Sequence, residues 1–322
     1  MKLIFAALVA LAAAGGVSAQ ESAADYPSRA VRLVVPNAPG SSIDTMSRIV
    51  AAKLGETLGQ SVFVENRDGA GGLIGVEAAR SAKPDGYTLL CASNGSMMIA
   101  PLLKKPVPYD ALNDFTLIGP FAVTPNVLVV NPELPVKTVK ELIEYARTHA
   151  STINMASAGV GSQSHLSGVL LMTMAGFDSL HVPHKGGGPS VNSVVAGQTH
   201  WTLTPAPAAI SFVRNGKLRA LGQSLPHRSS ILGDMPAISE TVPGYDYSGW
   251  AGLVAPKGVP APVVDKLRDA LTKTLSLADV KEGLARQGAE ELTGTPDEFR
   301  RFIERDHANT VKVIRAAKLQ SE

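Results

Sequence analysis

The chain has 322 residues, of which 30 are basic and 28 acidic, and its formal net charge is +2. The charges are mixed along the sequence with no basic run longer than two residues, which argues against a nucleic-acid-binding protein. Cys91 is the only cysteine, so an internal disulfide and a cysteine-based metal cluster are excluded. Few aromatic residues and 30 glycines favour an α/β protein with tight turns.

The first 19 residues have the three parts of a secretory signal peptide. Lys2 gives a positive start, Ile4–Ala14 is an uninterrupted apolar run, and Val17–Ala19 is a small-residue cleavage site. We expect cleavage after Ala19, which places the mature protein outside the cytoplasm. A lipoprotein would need a cysteine at that site, and no later apolar run approaches the ~18 residues of a membrane span.

The first part of the mature chain alternates strand-like and helical patterns. The apolar run Val31–Val35 predicts a strand, and apolar spacing over Ser42–Leu58 predicts a helix that Gly59 ends. The next predicted elements are a strand at Val62–Val64, a helix at Gly72–Ala82 and a strand at Tyr87–Cys91. This β-α-β-α-β order predicts parallel strands covered by helices.

Two later segments are interpreted as connections between two lobes. Phe115–Val130 contains apolar runs separated by prolines and predicts a crossover, and Trp250–Val254 predicts the returning crossover strand. Other predicted elements are strands at Ile153–Ala156 and Leu218–Gly222 and helices at Thr138–Ala150, Gln163–Ala175, Pro262–Leu275, Ala278–Gln287 and Thr295–Ala317. We therefore predict an α/β chain with residues 26–123 and 246–322 in one lobe, residues 124–245 in the other, and a cleft between them.

Strand-to-helix turns are the candidate binding elements, because open α/β sheets bind ligands beyond the carboxyl ends of their strands. In the first turn, Gly40 permits an unusual backbone conformation. Ser41 and Ser42 offer hydroxyls and free amides at a helix N-terminus, which attracts anions without a basic side chain. Asp44 fits either a cap of the same helix or a ligand contact.

The second candidate turn runs from Ser157 to His165 and is also rich in glycine. It is similar to a dinucleotide fingerprint, but Ser164 stands at the third glycine position and no P-loop lysine is present. We expect instead an anion nest built from the amides of Gly159, Gly161 and Ser162. His165 fits a helix-start hydrogen bond or a ligand contact.

A third candidate turn contains Ser93 and Asn94, which follow the third predicted strand. They fit polar ligand contacts or plain turn formers.

Catalytic and metal-binding patterns are missing from the sequence. No G-x-S-x-G elbow, H-E-x-x-H or Cys/His metal spacing occurs, so we expect no metal and no cofactor. His181 and His184 are three residues apart, but Pro183 between them forbids a regular helix. The enzyme alternative is an exported hydrolase in which His165 pairs with Ser164 or Ser162.

Short segments spread over the mature chain match a known family in order and spacing. They are Tyr26-Pro27, Val35–Gly40 with Asp44, Val64–Arg67, Gly69–Gly72, Pro84–Thr88, Asp114-Phe115, Ser157–Ser162 with His165-Leu166, His181–Pro183 with Lys185-Gly186, and Trp250–Pro256. From Tyr26 onward the chain resembles the Bug family, the extracytoplasmic receptors of tripartite tricarboxylate transporters.

The resemblance implies a type II periplasmic-binding-protein fold, with two lobes joined by two crossover strands, and a location in the periplasm. It also implies capture of a small organic or aromatic acid between the lobes and delivery to the membrane subunits of a transporter. We expect a monomer that binds no nucleic acid. A ligand-sensing adaptor for a membrane receptor is an alternative role.

Carried over by position, the resemblance implies ligand contacts from both glycine-containing turns and from the third strand end. The residues are Asn37, Ala38, Pro39, Gly40, Ser41, Ser42, Asp44, Ser93, Asn94, Ser157, Ala158, Gly159, Gly161, Ser164, His165 and Thr204. The chain departs from the family at Asn37, where an aromatic or apolar residue is usual, and at Ser41, which replaces a common glycine. Thr204 stands where amino-acid-binding members can carry an acidic residue, which argues against an amino-acid ligand.

Overall fold

The computed structural model describes residues 25–319, so the predicted signal peptide lies outside the described residues. The strands are β1 (Val31–Val35), β2 (Val62–Asn66), β3 (Thr88–Ser93), β4 (Phe115–Thr124), β5 (Asn126–Val130), β6 (Asn154–Ser157), β7 (Leu180–Pro183), β8 (Trp201–Pro205), β9 (Arg219–Gln223), β10 (Gly249–Pro256) and β11 (Glu290–Glu291). The main helices are α1 (Ser42–Leu58), α2 (Leu73–Arg80), α3 (Val139–Thr148), α4 (Gln163–Ala175), α5 (Gly187–Val195), α6 (Ala206–Arg214), α7 (Ala261–Ser276), α8 (Ala278–Arg286) and α9 (Pro296–Ala316). None of the helices over residues 25–319 is both long and apolar enough to cross a membrane.

The first sheet has the strand order β11-β4-β10-β3-β1-β2. β1 pairs in parallel with β2 and β3, whereas β10 runs antiparallel between β3 and β4. Because side chains alternate along a strand, Leu33 packs with α1, α7 and α8 on one face, and Val34 packs with α2 on the other. Cys91 lies in this core, where burial raises the pKa of its thiol to about 12, so it is an inert packing residue.

The second sheet has the order β7-β6-β8-β5-β9. β6 runs parallel to β7 and β8, and β5 runs antiparallel to β8 and β9. Helices α3 and α4 cover the face that carries Leu128 and Trp201, and α5 and α6 cover the face that carries Val127 and Val129. Each sheet therefore has helices on both faces, the arrangement that aligns strand ends and helix starts along one edge.

The chain crosses between the sheets twice, and the two crossings are hydrogen-bonded to each other. Pro125 separates β4 from β5, and the return runs from the end of β9 to β10. The Asn126 amide donates to Ser224 Oγ over 2.9 Å, and the Asn126 side chain donates to the Tyr247 carbonyl over 3.0 Å. Ser224 Oγ also lies 2.6 Å from Ser248 Oγ. These buried contacts tie the connections together at the base of the cleft.

Two element boundaries near the candidate turns differ from those predicted. Gly71 and Gly72 have positive φ angles of 70° and 98° and form a 3₁₀ turn, so the helix predicted from Gly72 begins at Leu73. The strand predicted to end at Cys91 continues to Ser93, and a π-helical segment, Gly95–Ile99, follows it. Ser93 is therefore the last residue of β3 and not part of a turn.

Candidate functional site

A cavity of about 540 Å³ is lined from both sheets, beyond the carboxyl ends of β1, β3 and β8. Its volume is in the range of small-molecule sites. Its apolar wall is formed by Ile43, Met46, Ile99, Leu103 and Trp250. Its polar side chains are those of Asn37, Ser42, Ser93, Asn94, Ser96, Lys104, Thr124, Ser162 and Gln163. This combination suits a ligand with a hydrocarbon part and a polar end.

Two residues of the first turn that line this cavity have free backbone amides. Gly40 has a φ of 78°, and the next residue, Ser41, caps α1 by accepting the Asp44 amide over 3.2 Å. The Gly40 amide donates to Asp44 Oδ2 over 2.8 Å. Among the described residues, the amides of Ser42 and Ile43 have no partner, and both residues line the cavity. They are the donors that an N-terminal helix end offers to an anion.

Asp44 holds the first turn in place, and its negative charge is balanced by an ion pair with Arg48. Its carboxylate accepts from Arg48 Nε over 3.0 Å and from Asn66 Nδ2 over 2.8 Å, in addition to the Gly40 amide. Burial alone would raise the pKa of Asp44, but these hydrogen bonds and the Arg48 charge hold it below its usual value. Asp44 therefore stays ionised, and Arg48 offsets its repulsion of an incoming anion.

The second turn repeats the same construction at α4. Gly161 has a φ of 76°, and Ser162 caps α4 by accepting the His165 amide over 3.3 Å. The Gly161 amide donates to His165 Nδ1 over 3.1 Å, as the Gly40 amide does to Asp44. The amides of Gln163 and Ser164 have no partner in the described part of the chain.

His165 must be neutral to accept this hydrogen bond. Burial first, and then the nearby His181, lower the pKa of His165 from 6.5 to about 4. The two imidazoles are stacked with ring centroids 3.9 Å apart, and His181 Nε2 lies 2.6 Å from Ser157 Oγ. At neutral pH the imidazole of His165 therefore orders the turn without adding a charge.

Three buried polar atoms of cavity-lining residues have no hydrogen-bond partner within residues 25–319. They are Gln163 Nε2, Asn94 Nδ2 and Asn37 Oδ1. A Cβ atom placed on Gly249 of β10 would lie 2.9 Å from Gln163 Nε2, so the side chain of Gln163 reaches across to the first sheet. An unpaired buried donor is costly, and a ligand oxygen would satisfy it.

The predicted site residues divide into those that line the cavity and those that support it. Asn37, Ser42, Ser93, Asn94 and Gly161 line it. Exposed Ala38, Pro39 and Gly40 lie at the turn surface, and Ser41 and Asp44 cap α1. Ser157, Ala158, Gly159, Ser164 and His165 form the hydrogen-bonded frame of the second turn. Thr204 is buried in β8 beside Pro205, which lines the cavity.

Several residues that line the cavity are not among those predicted from the sequence. Gln163 had a recognisable signal, because it is the first residue of the helix that the second turn begins. No sequence signal indicated Lys104, Thr124 or Gly249, because none of them lies in a predicted strand-to-helix turn.

The histidines and serines do not form the hydrolase pair considered from sequence. Ser164 Oγ accepts from the Ala158 amide over 2.8 Å and lies 3.2 Å from Ser162 Oγ. Within the described residues, the serine whose hydroxyl contacts a histidine ring is Ser157, whose side chain is fully buried and out of reach of a substrate. Over residues 25–319, no group of three or more His, Cys, Asp or Glu side chains could hold a metal ion.

This chain is similar to known proteins of one family over nearly its whole length. The family described as the tripartite tricarboxylate transporter family receptor matches residues 46–319. Protein BugT of Bordetella pertussis is 34% identical over 317 residues, which cover 98% of this chain and 97% of BugT. An R. palustris protein solved with adipate is 34% identical with a TM-score of 0.74, covering 91% of this chain and 99% of that one.

A further solved structure is MatC from Rhodopseudomonas palustris with bound malate. It is 31% identical with a TM-score of 0.70, and the match covers 90% of this chain and all of MatC. Receptors of this kind are not enzymes, which excludes the exported hydrolase. The chain belongs to the tripartite tricarboxylate transporter receptor family and is a periplasmic solute-binding receptor of the Bug type.

Proposed function

We propose that this receptor captures a small organic or aromatic acid by closure of its two lobes and delivers it to the membrane subunits of a tripartite transporter. The observation that supports it is the convergence of two helix N-termini on one cavity, each with unpaired amides. Such a terminus carries about half a positive charge, so two of them hold a carboxylate without a cofactor or metal.

The rest of the cavity fits the same ligand. The apolar wall offers Met46, Ile99 and Trp250 to the carbon skeleton of an acid. Closure removes water from the carboxylate, which strengthens each hydrogen bond from the amides because the local dielectric constant falls. The binding of adipate and malate by two relatives supports a carboxylate ligand here.

We assign the two lobes that move on closure from the two sheets, one sheet to each lobe. Residues 26–123 and 246–322 form one lobe and residues 124–245 the other, with Pro125 and Ser248 near the points about which they close. The groups that contact the ligand carboxylate directly are the backbone amides of Ser42, Ile43 and Gln163. We propose a monomer that is exported by cleavage of residues 1–19.

Proline at the first helical position provides a sharp test of the amide contacts. Ser42 is the first residue of α1, and Ser41 has φ −67° and ψ 160°, a conformation that suits a following proline. Ser42→Pro therefore removes the unpaired N–H of a cavity-lining residue while the helix is retained. We expect the affinity for the best acid of a panel of mono-, di- and aromatic acids to fall about tenfold or more, since one hydrogen bond to a charged group is lost.

Two matched variants control this measurement by titration calorimetry. Ser42→Ala removes the hydroxyl and keeps the N–H, and Ala278→Pro makes the same backbone change at the exposed start of α8, away from the cavity. Both should bind like the wild type. A well-folded S42P protein with wild-type affinity would contradict the proposal, as would a wild type that binds no acid.

A further inference from the structure

We infer that Asp306 takes up a proton when this receptor captures an acid, so that its buried carboxyl group is neutral while a carboxylate occupies the cavity. The inference rests on the proposed function, because the captured carboxylate supplies the charge to which Asp306 responds. Asp306 lies on α9 and is 9% exposed. It does not line the cavity itself, but it contacts residues that do.

Trp250 and Asn94 connect Asp306 with the cavity, because both residues line it. Trp250 Nε1 donates to Asp306 Oδ2 over 2.7 Å. Burial raises the pKa of Asp306, and the adjacent side chains of Trp250 and Asn94 oppose this rise. An ionised Asp306 therefore places a negative charge one residue behind the cavity wall.

The charged groups around Asp306 do not neutralise it. Within the described part of the chain no basic side chain forms an ion pair with Asp306, and Arg305 pairs instead with Asp246 over 3.5 Å. Burial first, and then Asp246, raise the pKa of Asp306 to about 7, while the Arg305 charge lowers it by less. His227 faces Asp246, and burial keeps Tyr247 neutral by raising its pKa. Asp306 is thus able to gain or lose a proton near neutral pH.

A small cavity separate from the ligand cavity gives Asp306 a route to solvent. Its volume is about 10 Å³, close to the space that one water molecule needs. The residues that line it are Asp246, Ser248, Phe302, Arg305, Asp306 and Asn309. None of them lines the ligand cavity, and the side chain of Arg305 is 56% exposed. A proton can therefore reach Asp306 while the closed lobes cover the ligand.

The charge of a captured acid favours the protonated form of Asp306. At an effective dielectric constant of about 20, two negative charges roughly 10 Å apart shift an equilibrium by about tenfold. An ionised Asp306 therefore weakens the binding of an anion, whereas a protonated Asp306 does not. Because the coupling is reciprocal, a bound acid favours proton uptake by the same factor. The affinity for an acid is then highest below pH 7 and falls as the pH rises above it.

Titration calorimetry in buffers of different ionisation enthalpy counts the protons taken up with each bound acid. Succinate, adipate, malate and benzoate are titrated into the full mature chain, and the tightest binder is followed from pH 6 to pH 9. For the wild type we expect an uptake of about half a proton per acid near pH 7.5. We also expect its dissociation constant to rise about tenfold over the whole range.

Two asparagine variants separate Asp306 from other groups. Asp306→Asn keeps an oxygen for Trp250 Nε1 but cannot ionise, so it should show neither the uptake nor the pH dependence. Ionisation of the acid itself is common to both proteins and cancels in the comparison. Asp269→Asn makes the same change at an 80% exposed carboxylate of α7 that does not line the cavity, and it should behave like the wild type.

The outcomes for the inference and for the proposed function are distinct. A wild type that binds an acid without proton uptake, or a D306N protein with wild-type uptake, would overturn the inference and leave acid capture intact. Failure of every acid to bind would instead contradict the proposed function.

Discussion

Gly40 and Gly161 have the same role in two turns that are distant in sequence. Each has a positive φ, precedes a serine N-cap and donates its amide to the side chain of the third helical residue. That acceptor is Oδ2 of Asp44 in one turn and Nδ1 of His165 in the other, atoms bonded to the same Cγ position. The amides of Ser41 and Ser162 donate to carbonyls within their own turns, so the first two amides of each helix are the ones left for the ligand.

The hydrogen bond that His165 Nδ1 accepts from the Gly161 amide should contribute measurably to the free energy of unfolding. His165→Asn places an oxygen where Nδ1 now lies, whereas His165→Leu keeps most of the volume and leaves the partly buried Gly161 amide without its acceptor. We expect the leucine variant to be less stable than the asparagine variant by about 1–3 kcal/mol in urea unfolding. Both variants lose the stacking with His181, so their difference isolates the hydrogen bond. Equal stabilities would show that the Gly161 amide needs no acceptor.

At this scale the sequence predicted the turns better than the roles of their side chains. Glycine and serine before apolar helical spacing indicated both helix starts correctly. The sequence could not separate a ligand contact from a cap at Asp44 or His165, because both roles use the same residue at the same position. Lys104 gave no signal, since its place at the cavity depends on a π-helical segment and on contacts with the other sheet.

Helix α9 joins the two halves of the molecule and carries a buried acid. Its first turns place Phe299 and Ile303 against the first sheet, and Val313 near its end packs in the core of the second sheet. Between them Asp306 Oδ2 accepts from Trp250 Nε1 over 2.7 Å. Burial first, and the nearby Asp246, raise the pKa of Asp306 from 3.8 to about 7, against the hydrogen bond from Trp250.

This raised pKa predicts a pH dependence of stability with a definite sign. Between pH 3.8 and about 7 the folded protein holds a proton on Asp306 that the unfolded chain releases, so rising pH favours unfolding. Asp306→Asn has no such proton. The free energy of unfolding of the wild type should therefore fall relative to that of D306N as the pH rises through this window. Urea unfolding at several pH values checks this, and a constant difference would contradict it.

Several elements of the second lobe were missed for physical reasons. β7 is a half-exposed edge strand, so Leu180–Pro183 lacks the alternation that indicates a strand. α5 begins with Gly187, Gly188 and Pro189, residues typical of turns, and forms because Val191 and Val194 are buried against the sheet. α6 has Pro207 in its first turn, where the missing N–H costs nothing. Tertiary packing decides each of these cases.

For the whole molecule, the order of elements predicted the α/β class and the two crossings, because β-α-β patterns restrict the topology. It did not predict how close the lobes lie. Gly249 and Gln163, and Leu103 and Gly161, approach each other across the cavity. These contacts put the two helix termini close enough to line one space.

The central claim is that backbone amides at two helix starts hold one carboxylate. Amide NMR of the ¹⁵N-labelled mature chain, titrated with the tightest-binding acid, observes those groups directly. The amide protons of Ser42, Ile43 and Gln163 should move downfield together, with a dissociation constant equal to the calorimetric value. If these three signals stay in place while others shift at saturation, the acid binds elsewhere and the account is wrong.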